Sequence, residues 1–222
     1  MSASARAFVR RRFSPHSAIV SRLEGIKQLT PLRAGIHRSE QGQAFVEFAL
    51  LLPILMLIVV GLMEFGMFLN SRNAVEFASR DGSMLAAEGG NAIGTDCVVL
   101  DKVEGDIVSP ARNIRIQTVI IYWADRNGDQ IGNNANVYTR GGTTTCVYGG
   151  GLSLTVPYTL TTPNYLEGSR CDVLAGCGGS HPGLDTIGVK VTYQHRWITT
   201  IVQQTGTITF TVTSATRLEP QQ

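Results

Sequence analysis

From Phe48 to Met63 the chain reads FALLLPILMLIVVGLM, 16 residues without a charge, and no other stretch restricts the fold as strongly. As a helix rising 1.5 Å per residue it covers about 24 Å, slightly short of a hydrocarbon core of about 30 Å. Adding Phe65, Met67, Phe68 and Leu69 brings it to full length, with Glu64 then inside the span and Glu47 at its other edge. A buried helix of a soluble core is the competing reading, and Pro53 lends it some weight. Two features oppose it: the run is apolar all round rather than striped, and a basic segment precedes it. Up to Gly42 there are eight Lys and Arg against two acids, whereas the other 180 residues carry 11 basic and 15 acidic groups. This asymmetry predicts a single transmembrane helix over residues 43–69 in the cytoplasmic (inner) membrane. The N-terminus is then in the cytoplasm and everything after Asn70 is extracytoplasmic.

Other uses of a basic head fit less well. Nucleic-acid binding is set aside, because the head lacks an aromatic-interleaved or helical DNA-reading pattern. A removed secretory signal is set aside too, since the apolar run exceeds a signal h-region and no A-x-A-like site follows. Arg10-Arg11-Arg12-Phe13 hints at a twin-arginine signal, but the apolar stretch begins some 30 residues later.

The boundary reads Gly42-Gln43-Ala44-Phe45-Val46-Glu47-Phe48, with Glu47 fifth after a glycine that closes the basic leader. It resembles the site cut by prepilin peptidases, which would make residues 1–42 a leader and Gln43 the first mature residue. A carboxylate at membrane depth costs a few kcal/mol unless it is paired. The resemblance supplies the partner, the new α-amino group of a neighbouring subunit.

The stretch from Gly42 to Ala87 as a whole is similar to the N-terminal signature of TadE-like proteins of the tight-adherence (Flp) pilus machinery. The matching parts are G-Q-A-x-V-E-F-A-L, Pro53, G-x-x-E-F-G at Gly61 to Gly66, and A-S-R-D-G-x-x-x-A-A at Ala78 to Ala87. VKVTYQHRWIT and TVTSATRLEP near the end resemble that family's closing strands; the middle of the chain does not, and the leader is long for the family. The resemblance implies partners: other pilus-assembly subunits, membrane lipid and a prepilin peptidase. It also implies assembly contacts at Glu47, Gly61, Glu64 and Gly66. The two glycines thin the helix beside Glu64, which favours close approach of another helix; pairing of Glu64 with Arg72 is the in-chain alternative.

Beyond the membrane the helix is predicted to continue over residues 70–90. Val75, Ala78, Gly82 and Leu85 make one apolar stripe, and Gly89-Gly90-Asn91 ends it. From Gln43 to Ala87 such a helix measures about 68 Å. Residues 91–222 are rich in Thr, Val, Ile, Gly and Asn, and predict a β-rich extracytoplasmic domain. A short helix is expected over Cys97–Val108 and a strand over Ile114–Trp123, followed by a turn at Asp125–Asp129. Val189, Val191 and Tyr193 alternate with polar residues, as do Ile208, Phe210 and Val212. Trp197–Val202 is a further candidate strand, leading to a hairpin connection at Gln203–Gly206. The expected class is α+β, a long helix feeding a small antiparallel sheet in a pilin-like layout.

Cys97, Cys146, Cys171 and Cys177 all lie beyond the span, and an even count there argues for two disulfides. Three connectivities can be drawn; Cys171–Cys177 is favoured as a loop staple and Cys97–Cys146 as a long-range link. The spacings lack a zinc knuckle. Asp125-x-Asn127-x-Asp129 suggests calcium, but Gln130 and Asn136 stand where an EF-hand needs Gly and Glu, so no metal or cofactor is expected. His181 reads as a loop residue and His195 as surface-facing, with neither in a catalytic motif. Two functions follow: a pseudopilin or minor-pilin-like assembly subunit, or a permanently anchored extracytoplasmic binding module or adhesin. Leader processing after Gly42 separates them.

Overall fold

A small-residue stripe on a long helix and period-two strands create two surfaces that need burying, and the chain folds one onto the other. The computed structural model describes residues 40–108, 114–148, 151–179, 181–199 and 206–220. Its elements are helix α1 (Glu40–Gly89), helix α2 (Thr95–Val108), strands β1 (Ile114–Ala124), β2 (Gln130–Val147) and β3 (Ser153–Pro163), a 3-10 turn (Glu167–Ser169), and strands β4 (Thr186–Arg196) and β5 (Thr207–Arg217). Contacts divide the chain into Met1–Phe45, of which residues 40–45 are described as the start of α1, and Val46–Gln222, to which the rest of this description refers. Most of the predicted leader and residues 200–205 of the predicted strand and hairpin lie outside the described residues.

The sheet is wholly antiparallel, in the order β3-β2-β1-β4-β5. The fold is α+β, with both helices on one face of the sheet. Alternation decides which face is buried. Val189, Val191 and Tyr193 of β4 are fully buried beneath α1, whereas Lys190, Thr192 and Gln194 are half-exposed on the other side. Val75, Ala78 and Gly82 of α1 are buried, with Leu85 partly so. These residues are small, so the helix can sit low on the strands. Ser79 Oγ donates to the Val189 carbonyl at 2.7 Å, and Ser83 Oγ lies 2.8 Å from Thr216 Oγ1. α2 covers β1–β3 with Val99, Leu100, Val103 and Ile107.

Two polar clusters fix α2. Glu167 accepts from the Gly94 and Asp96 amides at 2.8 and 2.7 Å, satisfying donors that a helix N-terminus leaves without partners. The buried Asp96 carboxylate pairs with the buried Arg170 and accepts from Tyr138 and Asn136. Cys97 on α2 is bonded to Cys146 on β2, and Cys171 to Cys177 in the loop before β4, with Cα separations of 6.2 and 5.7 Å.

The structure departs from the sequence reading in several places. β2 and β3 fill a region to which no strand had been assigned. β2 is obscured by Asn, Gly and Thr and is irregular between Arg140 and Thr144. Trp197–Thr199 is not a strand: β4 ends at Arg196, and Ile198 and Thr199 bend away. His195 is not on the surface but 1% exposed. It shares the parity of Val189, Val191 and Tyr193, so it falls on the face that α1 covers.

A Cβ on Gly82 would lie 2.9 Å from Val103 and 3.5 Å from Val189. Gly82→Leu should therefore overpack the junction of α1, α2 and β4. A stability loss of about 1–3 kcal/mol is expected, read as a lower thermal midpoint.

Candidate functional site along the long helix

The candidate residues lie on α1, which changes character along its length. Every side chain from Gly42 to Val59 is exposed, as are residues 61–63, although most are large and apolar. The helix is long and apolar enough to cross a membrane, and it fits a single-pass anchor. Pro53 lies inside it, where a missing amide is tolerated in a membrane helix. Gly42, Gln43 and Glu47 stand in its first turns, and Glu47 is exposed.

Among the described residues, the helix's own backbone aside, nothing lies within 4 Å of where a Cβ on Gly61 or Gly66 would be. The helix is thin there and its surface is uncovered. Glu64, between them in sequence, points toward the sheet domain and is 2% exposed. Its carboxylate accepts from the Ile198 amide at 3.2 Å and from the Thr199 amide. Glu64 is therefore engaged by a loop of its own chain rather than by Arg72. That engagement also explains why the ladder does not run on past Trp197: its amide still reaches the Gly206 carbonyl, and the next two turn to the carboxylate instead of a strand.

One turn further, Phe68 packs against Phe210, Trp197 and His195, with ring centroids 4.8, 5.6 and 5.7 Å away. Among the described residues neither ring nitrogen of His195 has a hydrogen-bond partner. Burial pushes its pKa below the ordinary histidine value, opposed in part by the charge of Glu64. Beyond this collar the face of α1 turned from the sheet still shows apolar groups, Phe77 at 63% and Met84 at 54% exposure.

The remaining sequence candidates are structural in the folded chain. Asp125 Oδ1 accepts from the Asn127 and Asp129 amides at 2.8 and 2.9 Å, shaping the β1–β2 turn. His181 stacks on Trp123 at 4.3 Å, with its Nδ1 2.7 Å from the buried Asp185. Asp185 in turn accepts from Tyr165 Oη and the Cys171 amide. The Glu64–loop contact joins residues 134 apart. Sequence spacing carries no signal for it beyond a carboxylate in an apolar run.

The TadE-like protein family matches residues 42–84, a stretch lying wholly on α1. The likeness to TadE-like proteins thus covers α1 and stops before the sheet domain. Comparison with the curated proteins and with the solved structures gave no match.

Two outcomes follow. Glu64→Ala should release the Ile198 and Thr199 amides, measured as faster hydrogen exchange at these two positions with β4 still protected. For His195 the folded pKa lies below the unfolded value of about 6.5. The unfolded chain therefore binds the proton first, so stability is fully present above that pH and falls as pH drops toward the folded pKa. The thermal midpoint of wild type should decline more steeply between about pH 7 and pH 5.5 than that of His195→Phe.

Proposed function

We propose that the protein is a pseudopilin- or minor-pilin-like component of a tight-adherence pilus assembly system. In this reading it is held in the cytoplasmic membrane by α1 and assembles through that helix. The observation that carries it is the uncovered surface of α1. From Gly42 to Met63 every side chain of the largely apolar helix but the half-buried Val60 is exposed, and apolar groups continue along its outward face at Phe77 and Met84. Lipid accounts for the first part of that surface. It does not account for Phe77 and Met84, which lie roughly three and a half to five and a half turns beyond Glu64 and suit a neighbouring helix.

The residues take distinct roles. The basic leader stays in the cytoplasm and is cut after Gly42 by a prepilin-type peptidase. Glu47 then lies five residues into the mature chain, where the α-amino group of an adjacent subunit neutralises it. Gly61 and Gly66 supply the thin surface that lets a second helix approach. Glu64 serves assembly indirectly, by locking the loop at Ile198 and Thr199 to the helix so that the sheet domain holds a set position above the membrane. The two disulfides suit a domain folded in an oxidising compartment.

A permanently anchored binding module is the second reading, favoured by a polar depression on the open face of the sheet. Mass and N-terminal sequence of the protein from its native membrane separate the two. A chain beginning at Gln43 is expected, and Gly42→Glu should block the cut. An intact leader in cells with an active prepilin peptidase would overturn the assembly reading and leave Glu47 as an ordinary interface residue.

A further inference from the structure

The face of the sheet turned away from both helices carries a depression of about 680 Å³ at the end formed by the β1–β2 turn, the start of β4 and the end of β5. It lies at the far end of the domain from the Phe68 collar, because the Glu219 amide just after β5 bonds the Ala87 carbonyl near the end of α1. Its floor is built by a specific substitution of space. Tyr122 of β1 lies across Gly188 of β4, where a Cβ would come within 2.1 Å of the ring. The ring is 1% exposed, and its hydroxyl donates to the Gly128 carbonyl at 2.8 Å. The Lys190 ammonium sits 5.4 Å from the ring centroid, attracted by the π face.

Around this floor stand three cations, Lys190, Arg217 and Arg126. Among the described residues none of the three has a carboxylate within ion-pair distance, although Lys and Arg side chains make five such pairs elsewhere. Asp125 in the same lining is turned inward to the Asn127 and Asp129 amides, which hold its carboxyl below the ordinary range. Asp129 projects a second carboxylate, and Thr186 and Thr213 add hydroxyls. Three cations against two carboxylates, one of them committed to the turn, leave a net positive lining that suits an anion of low charge density. Two carboxylates among them repel a densely charged polymer such as polyphosphate, yet can accept from hydroxyl groups.

We propose that this depression binds an acidic oligosaccharide, a hydroxyl-rich chain with isolated carboxylates of the uronic-acid kind. Lys190 and Arg217, four positions apart along the β4–β5 ladder, each meet a carboxylate of a different sugar unit, while Asp129, Thr186 and Thr213 meet ring hydroxyls. The site does not depend on how the chain is processed or assembled.

Isothermal titration of the full chain in nanodiscs tests it. The probes are defined hexasaccharides of galacturonate, mannuronate and glucuronate, a neutral hexose hexamer, and inorganic polyphosphate. At least one uronate probe should bind. Its affinity should fall about tenfold or more in Lys190→Ala/Arg217→Ala, the loss of one charge-assisted contact being enough for that factor. Lys190→Arg should retain binding, because it keeps both the charge and a cation over the Tyr122 ring. If the double variant does not fold, Arg126→Ala, at an exposed turn position, is read for a smaller loss. Failure of every uronate probe to bind, equal binding by the variants, or polyphosphate binding as tightly as the sugars would each overturn the proposal.

Discussion

Along the buried side of α1, from Phe68 to Ala87, the helix and β5 advance together: Phe68 meets Phe210, Ser83 meets Thr216, and the Ala87 carbonyl takes the Glu219 amide. Nineteen helical steps and nine extended steps both cover about 29 Å. The two elements can therefore stay in register over the whole contact. This requires a helix whose buried side beyond Phe68 is, Val75 apart, mostly Ala, Ser and Gly, since bulkier groups would lift it off the strands and break the hydroxyl contacts to Val189 and Thr216. The rest depends on this seating. It buries Val189, Val191 and Tyr193, brings Glu64 to the loop after β4, and leaves the large apolar residues of α1 pointing outward.

The second helix is held by different physics. α2 is short and contributes Val99, Leu100, Val103 and Ile107 to the core. Its N-terminus is placed by charge: Glu167 on two amides, and Arg170 against Asp96 with Tyr138 and Asn136 completing the acceptor set. Burial and the neighbouring Asp96 carboxylate push the Tyr138 phenol far up, so it remains a donor. Removing one partner of such a buried pair strands a charge in the interior, which is why pairs of this kind fix geometry more than they add net stability.

The division between legible and hidden parts has a common cause. Long α1, α2 and the strands around Val189 and Ile208 were readable because each carries its own period. β3 alternates just as cleanly through Leu154, Val156, Tyr158 and Leu160, but Pro157 masks it; an edge strand tolerates that proline. β2 has no such period, because its polar Asn136 and Arg140 face the helices and are satisfied there by Asp96 and Glu104. Glu64 was visible as an anomaly, yet its partners are backbone amides, which have no letter in a sequence. The burial of His195 followed from strand parity alone and could have been read. The anion-seeking face around Lys190 and Arg217 could not, since it joins two strands and a turn that only the register brings together.

The placement of the two disulfides has a mechanical meaning. One ties α2 to β2, and the other closes a loop before β4. Neither bridges α1 to β4 or β5. A tension applied to the membrane end of α1 would thus pass into the sheet through the Glu64 amides, the Phe68 cluster and the serine hydroxyls, loaded in parallel and in shear. The covalent links would stay outside the load path. Under a pull, the domain would shed its helix reversibly before any strand of the cross-linked half came apart.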